Sequence, residues 1–147
     1  PTELNDEIGK FLAEKGGEVG ATTGRKRRCG WLDAILLKHA VYLSGVDGIC
    51  LTKIDVLDGL DTINVCTGYE SNLPVEDILE SMNLEHLEPI YTHFKGWDEP
   101  THGLNKFEDL NKIAQDYIFA IEDMCGVPVV MISTGPKRED TIIRDLF

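Results

Sequence analysis

The chain has 147 residues, of which 14 are Lys or Arg and 26 are Asp or Glu, so its formal net charge is −12. This length allows one domain at most, and the acidic excess argues against a general binder of nucleic acid or of anionic membranes. With 42% hydrophobic and 27% charged residues and no apolar run long enough to span a bilayer, the composition is that of a soluble globular chain.

The first residue and the cysteines indicate the setting of the chain. Because residue 1 is Pro and no basic-then-apolar leader is present, we expect the sequence to begin inside a longer protein. The four cysteines form no C-x-x-C pair, which favours reduced thiols in a cytoplasmic protein. The four histidines are equally scattered and argue against a protein-bound transition metal.

The first half of the chain predicts two helices and a buried strand. Apolar residues at helical spacing predict a helix over 1–15, closed by two glycines. A second helical stripe covers 31–43, with Gly45 as its C-cap. Residues 48–55 form an apolar run that turns polar at its end, which indicates a buried strand that enters a functional loop.

The second half alternates strand and helix patterns. We predict strands over 62–69 and 89–94, with a short helix over 75–82 between them. The clearest helix covers 110–124 and precedes an apolar run over 127–132. This alternation predicts an α/β fold that forms part of a mostly parallel sheet with flanking helices.

Two of the predicted strands end in polar stretches. The strands over 48–53 and 127–132 are followed by small and polar residues, and ligands of open parallel sheets bind at the carboxyl ends of strands. We therefore expect the two ends to meet at one pocket. No linker or repeat divides the chain, so residues 1–147 are predicted to form one domain without an internal boundary.

A basic loop follows the first helix. The sequence from Gly20 to Arg28 places four consecutive basic residues after glycines and threonines. Guanidinium groups pair with two oxygens at once and glycine loops expose amides, so the loop suits carboxylates or phosphates. A solvated basic run, or a nuclear-localisation-like run, is the alternative interpretation.

Lys53 and Asp55 follow the first buried strand. Residues two apart on a strand face the same way, so the two side chains are predicted to address one ligand. A carboxylate can accept from both N1–H and the exocyclic amino group of guanine while the lysine stem packs on the ring. An ordinary ion pair at the strand end is the alternative.

The second strand end carries Ser133, Thr134, Gly135 and Pro136. Small residues allow a close backbone approach, and the hydroxyls can meet a base or a sugar. A plain turn is the alternative, because glycine and proline mark most turns.

Taken in chain order, these stretches resemble the C-terminal part of the adenylosuccinate synthetase family from end to end. The stretches that carry the resemblance are PTEL, GEVGATTGRKRRCGWLD, CLTKIDVLDGL, EPIY with the following GW, and GVPVVMISTGPKREDTIIRD. The resemblance implies a larger, P-loop-like, GTP-dependent ligase of purine biosynthesis. In that family GTP phosphorylates the 6-oxygen of IMP, L-aspartate displaces the phosphate, and Mg²⁺ lies on the phosphates of GTP.

The resemblance also implies roles for individual residues. Thr23 would meet the carboxylates of aspartate, Arg25 would lie between aspartate and the ribose of IMP, and Arg27 would reach aspartate and GTP. The loop that closes on aspartate and IMP would be Ala21, Thr22, Thr23, Gly24, Arg25, Lys26 and Arg27. The GTP-binding residues would be Arg27, Lys53, Ile54, Asp55, Ser133, Thr134 and Gly135.

Some family features are absent from this sequence. The glycine-rich phosphate loop, its catalytic aspartate, a nearby histidine and the IMP phosphate site belong to the family's N-terminal portion. The resemblance therefore implies no catalytic residue here, Mg²⁺ ligands outside this chain, and no activity for the chain alone. It further implies a cytoplasmic homodimer of the full-length enzyme, with no nucleic-acid or membrane partner. Lys26, Cys29 and the last residues, 145–147, depart from the usual family pattern.

Two other functions remain as alternatives. A Ras-like GTP-binding regulatory module would use Lys53 and Asp55 but would need a phosphate loop that this sequence lacks. An interaction or nuclear-targeting module would use Arg25 to Arg28, and the threonines and glycines before them would then be dispensable.

Overall fold

The computed structural model describes residues 1–81, 84 and 86–144. The α/β class predicted from the sequence is confirmed. The predicted end of the short helix at Met82 and the last residues, 145–147, lie outside the described residues. In chain order the elements are α1 (Glu7–Lys15), β1 (Leu32–Asp33), α2 (Ala34–Ser44), β2 (Ile49–Leu51), β3 (Thr62–Glu70), α3 (Val75–Ser81), β4 (Glu88–Lys95), α4 (Lys112–Cys125), β5 (Val129–Ser133) and β6 (Thr141–Ile143), with short 3₁₀ helices at Ile54–Leu57 and Phe107–Asp109.

The chain forms two compact units. The first contains Pro1–Leu36 and Asn64–His93, and the second contains Leu37–Ile63 and the described residues from Phe94 onward. Each unit contains a three-stranded sheet. The assignment of residues 1–147 to one uninterrupted domain stays a prediction.

The first unit is built on a sheet with the strand order β1-β3-β4. β1 runs parallel to β3, with Leu32 opposite Val65 and Asp33 opposite Cys66. Cys66, Tyr69 and Ile78 form a buried cluster on this unit. Because Tyr69 is buried, its hydroxyl needs a partner, and it donates to Asp33 Oδ2 at 2.6 Å.

The first helix begins later than its apolar pattern predicts. Asp6 has extended backbone angles and its Oδ1 accepts from Gly9 N at 2.9 Å, so it caps the helix that starts at Glu7. The residues before Asp6 are not helical: Glu3 forms an isolated antiparallel bridge with Gly30, and Leu4 N donates to the carbonyl of Cys29. The predicted helix over 1–15 is therefore correct in its second half and wrong in its first.

The second helix also starts later than predicted. Leu32 and Asp33 belong to β1, and the Asp33 carboxylate accepts from Leu36 N at 3.0 Å at the start of α2. An apolar residue such as Leu32 suits a buried strand as well as the apolar face of a helix. The spacing of apolar residues alone therefore could not show where β1 ends and α2 begins. The glycine end at Gly45, with φ of +59°, agrees with the prediction.

The second unit contains a sheet with the order β2-β5-β6. β2 and β5 are parallel neighbours, so the predicted meeting of these strand ends is confirmed. β6 was not predicted and pairs antiparallel with β5, which makes this sheet mixed. With three residues, β6 is too short to show an alternating pattern in the sequence.

Helix α4 packs on β5 in the second unit. Asn111 caps it by accepting from Ala114 N at 2.8 Å, and Gly126, at φ +75°, ends it. Its buried face includes Tyr117, Ile118 and Ile121. Every helix in the described part of the chain is too short or too polar to cross a membrane.

Candidate functional site

The carboxyl ends of β2 and β5 meet at a tight turn. β2 ends at Leu51, and Lys53 has φ 60° and ψ 41°, which is the left-handed region. It is the one non-glycine residue with positive φ in the part of the chain that is described. Its backbone N–H donates to Ser133 Oγ at 2.8 Å, so the end of β5 holds this turn.

Lys53 and Asp55 do not belong to a strand, so the rule that alternate side chains of a strand face the same way does not apply to them. The strand stops before them, and Asp55 lies in the first turn of the 3₁₀ helix that follows. The prediction that both face one way because they belong to one strand is therefore wrong. Ile54, between them, is 2% exposed, so its side chain belongs to the core.

The Asp55 carboxylate is half-buried and only partly paired. Its Oδ2 lies 3.0 Å from Nδ1 of His102, a side chain that is 61% exposed. Its Oδ1 is buried and has no hydrogen-bond partner among the described residues. An unpaired buried acceptor costs free energy, so it marks a place where a donor from a ligand would be stabilising.

The charge near Asp55 is negative. The hydrogen bond to Asp55 raises the pKa of His102 above its ordinary value of 6.5, and the charges of Asp55, Asp140 and Asp58 raise it further. His102 is therefore protonated over a wider pH range than a free histidine.

The Ser133–Gly135 stretch is held mainly by internal bonds. Thr134 is fully buried, and its hydroxyl donates to the carbonyl of Leu104 at 2.6 Å. Its backbone N–H donates to the carbonyl of Asp140 at 2.9 Å. A Cβ added at Gly135 would lie 2.4 Å from Asp140 Oδ2, so a side chain there would require the Asp140 carboxylate to move. The hydroxyl of Thr134 thus serves the loop that follows β5.

Asp58 has a structural role that its turn position did not reveal. Its Oδ1 accepts from Trp97 Nε1 at 2.7 Å and from Thr101 Oγ1 at 2.8 Å. Its Oδ2 accepts from Thr101 N at 2.9 Å. These bonds fix the backbone next to His102.

The basic loop of the first unit is a hairpin-like turn. Val19 and Lys26 form an isolated antiparallel bridge, and Gly20 N donates to the carbonyl of Arg25 at 2.8 Å. Gly24 has φ of +64°, which a glycine adopts without strain. Residues 21–28 are all exposed, so the tip presents its hydroxyls and guanidinium groups to solvent.

The four basic side chains of this loop differ in their pairing. Arg27 lies 3.1 Å from Glu18, and Arg28 lies 3.2 Å from Glu3. Arg25 and Lys26 line a shallow depression beside Thr23 and have no acidic partner within the described residues. The loop therefore has free cationic groups for an anion.

The structure thus brings Lys53, Ile54, Asp55 and Ser133 together at one strand-end site and collects the predicted loop residues at one hairpin. The sequence analysis missed His102, which meets Asp55 across 47 positions of sequence, a separation at which no local pattern gives a signal. In the described residues, no group of three or more His, Cys, Asp or Glu side chains could hold a metal ion.

The α/β architecture, with polar residues where two parallel strands end, is that of an α/β protein with a candidate ligand site at the carboxyl ends of its strands. The family model described as adenylosuccinate synthetase matches residues 1–142. The chain is 52% identical over 145 residues to the adenylosuccinate synthetase of Chromohalobacter salexigens, covering 97% of this chain and 34% of that protein. It is 53% identical over 151 residues to that of Marinomonas sp., covering 100% and 35%.

A solved structure is also similar. The fully ligated adenylosuccinate synthetase from Plasmodium falciparum matches with a TM-score of 0.86 and 40% identity, covering 98% of this chain and 35% of that chain. The chain belongs to the adenylosuccinate synthetase family, as the resemblance in its sequence predicted. It spans about a third of the length of the curated relatives that it matches. These matches support this family over the Ras-like alternative.

Proposed function

We propose that this chain is part of a full-length adenylosuccinate synthetase, a GTP-dependent carbon–nitrogen ligase. That enzyme joins IMP and L-aspartate to adenylosuccinate and releases GDP and phosphate. Family membership over residues 1–142 supports the class of enzyme. The observation that carries the assignment of this site is the Asp55 carboxylate, which lies just beyond the end of β2 and has a buried oxygen to which no residue in the described part of the chain bonds.

The strand-end site suits the guanine base of GTP. An ionised carboxylate only accepts hydrogen bonds, and guanine offers two neighbouring donors, N1–H and the exocyclic amino group. Adenine has no N1–H and cannot satisfy the same acceptor pair. In the proposed site Asp55 reads these donors, Lys53 lies on the ring, and the backbone around Ile54 and the Ser133–Gly135 stretch complete the walls.

The hairpin loop suits the aspartate substrate. Its threonine hydroxyls and free Arg25 provide donors for carboxylate oxygens, and charge-assisted bonds of this kind are the strong ones. Ala21 to Arg27 would contact aspartate and IMP, and Arg27 would also contact GTP. For that second role Arg27 would exchange its ion pair with Glu18 for the ligand.

The remaining parts of the proposal concern the full-length protein. Mg²⁺ on the phosphates of GTP would be held by residues outside this chain, as the family resemblance implies. The protein is proposed to be a cytoplasmic homodimer. The purified 147-residue chain alone is expected to form no adenylosuccinate, and adenylosuccinate formed by a preparation free of other synthetases would contradict this.

Asp55→Asn in the full-length enzyme tests the guanine site. Asparagine keeps the shape but offers one acceptor and one donor, which matches xanthine and opposes the amino group of guanine. Each unpaired buried group costs about 1–3 kcal/mol, so kcat/KM for GTP should fall roughly tenfold or more while that for XTP rises. Steady-state kinetics with GTP, XTP and ATP measure this change.

Asp61→Asn is the matched control, since it makes the same change on an exposed residue just before β3. It should leave the nucleotide preference unchanged. An Asp55→Asn enzyme that prefers GTP as strongly as the parent would show that Asp55 does not read the base.

A further inference from the structure

His102 is attached to the carboxylate that the proposed function assigns to guanine. Its Nδ1 lies 3.0 Å from Asp55 Oδ2, while Asp55 Oδ1 is buried and no described residue bonds to it. A planar base edge with two donors needs both oxygens of a carboxylate at once. In this structure one carboxylate oxygen of Asp55 contacts His102 and the other oxygen is buried. Guanine would require both oxygens to be open to the base, so the carboxylate must be rearranged before guanine binds.

The backbone of His102 is fixed although its side chain is exposed. The preceding residue, Thr101, is fully buried and donates twice to Asp58. The following residue, Gly103, donates its N–H to the carbonyl of Thr134 at 3.1 Å and has φ of +79°. The imidazole is thus held within reach of Asp55 but can rotate into solvent at little cost, because 61% of it is already exposed.

We propose that His102 is a positioning residue that holds Asp55 when no nucleotide is bound, and that the guanine base displaces it. When the imidazole leaves, the carboxylate can turn about its Cβ–Cγ bond and present both oxygens to the base. This inference rests on the proposed function of Asp55. It assigns to His102 a role in setting nucleotide affinity, and His102 itself need not touch the base.

The charge of His102 makes this competition dependent on pH. The carboxylates that face it are Asp55, Asp58 and Asp140, and together they favour the imidazolium. Both oxygens of Asp58 already accept from Trp97 and Thr101, and Asp140 Oδ2 accepts from Lys137 N, so Asp55 is the partner that a ligand can remove.

The sign of the effect follows from proton linkage. In the free protein the bond to Asp55 raises the pKa of His102. Loss of that bond in the complex returns the pKa towards its ordinary value, so nucleotide binding releases a proton in the interval between the two pKa values. Affinity is then highest above the raised pKa and falls as the pH drops through it.

The first measurement is the pKa of His102 in the full-length protein. NMR of ¹³C-labelled histidine measures this pKa with and without GDP. The signal is identified by its absence in His102→Gln. GDP should lower the pKa of His102, whereas a histidine with only a structural role would keep the same pKa. His93→Gln is the control, because His93 is exposed and lies beside the amide of Asn64 rather than a carboxylate.

The second measurement is the affinity for GDP by calorimetry. When the pH is lowered from about 8.5 to about 6, the affinity of the parent for GDP should fall roughly twofold to fivefold more than the affinity of the His102 variants. This factor corresponds to the free energy of an exposed ion pair. His102→Gln keeps a donor without the charge and should lose this dependence. His102→Ala should bind GDP more tightly than the parent at about pH 6 by the same roughly twofold to fivefold factor.

The outcomes separate the two proposals. If the protein binds GDP over ADP but GDP leaves the pKa of His102 unchanged, the displacement of His102 is refuted while the guanine site stands. If the protein binds ADP as tightly as GDP, the guanine site itself is refuted and the role of His102 fails with it.

Discussion

The left-handed backbone at Lys53 should store strain that a glycine would release. A non-glycine residue in this region costs about 1–2 kcal/mol, and the angles of Lys53, φ 60° and ψ 41°, lie at its centre. Glycine relieves this cost but loses roughly 0.5–1 kcal/mol more chain entropy on folding. Comparing Lys53→Gly with Lys53→Ala isolates the backbone, because both variants lose the same side chain, and we expect the Gly variant to be about 1 kcal/mol more stable.

Urea unfolding followed by tryptophan fluorescence measures this difference. Trp97 is a suitable probe because it is 3% exposed and lies in the same unit as Lys53. Its indole N–H donates to Asp58, a residue of the turn that follows Lys53. In the full-length enzyme both variants should lose affinity for GTP to the same extent, since the lysine stem is absent from both. A Lys53→Ala protein as stable as Lys53→Gly would show that the turn is not strained, and the argument would fail.

Two further predictions concern side chains that the resemblance assigns to the site. Thr134→Val should lower the free energy of unfolding by about 1–3 kcal/mol, because the carbonyl of Leu104 loses a buried donor. The preference for GTP over ATP should stay the same. A changed preference at unchanged stability would contradict this prediction. Arg25→Ala and Arg27→Ala in the full-length enzyme should each raise KM for aspartate roughly tenfold or more, since each removes charge-assisted bonds worth about 1.5–3 kcal/mol. Unchanged aspartate kinetics in both variants would overturn the assignment of the loop.

The fold was predictable where a local rule decides it. The strands that became β2 and β5 could be predicted together with their meeting point, because strands of a parallel sheet are short apolar runs with polar ends. The predicted burial of the first strand is wrong, since β2 is half-buried and its central residue, Cys50, is exposed. The glycine end of α2 could be predicted because helices commonly end at a glycine in the left-handed conformation. The starts of α1 and α2 could not be predicted from apolar spacing, since the carboxylates of Asp6 and Asp33 decide them.

The site was predictable in its residue types but not in its geometry. The sequence indicated Lys53 and Asp55, yet it placed them on a strand that ends at Leu51. The partners of Asp55 and Asp58 come from residues 97–102, some forty positions away, and such contacts depend on the tertiary fold. No spacing rule connects positions that far apart.

The close approach of Gly135 to Asp140 affects how a mutational scan of this protein should be interpreted. Any side chain at position 135 would collide with the Asp140 carboxylate. Asp140 also supplies the carbonyl that receives the N–H of Thr134. Substitutions at 135 would therefore be rejected through folding even in a variant that never meets a nucleotide. Intolerance at this position would look like a ligand contact in a growth selection, and a parallel measurement of protein abundance would reveal it as a requirement of the loop.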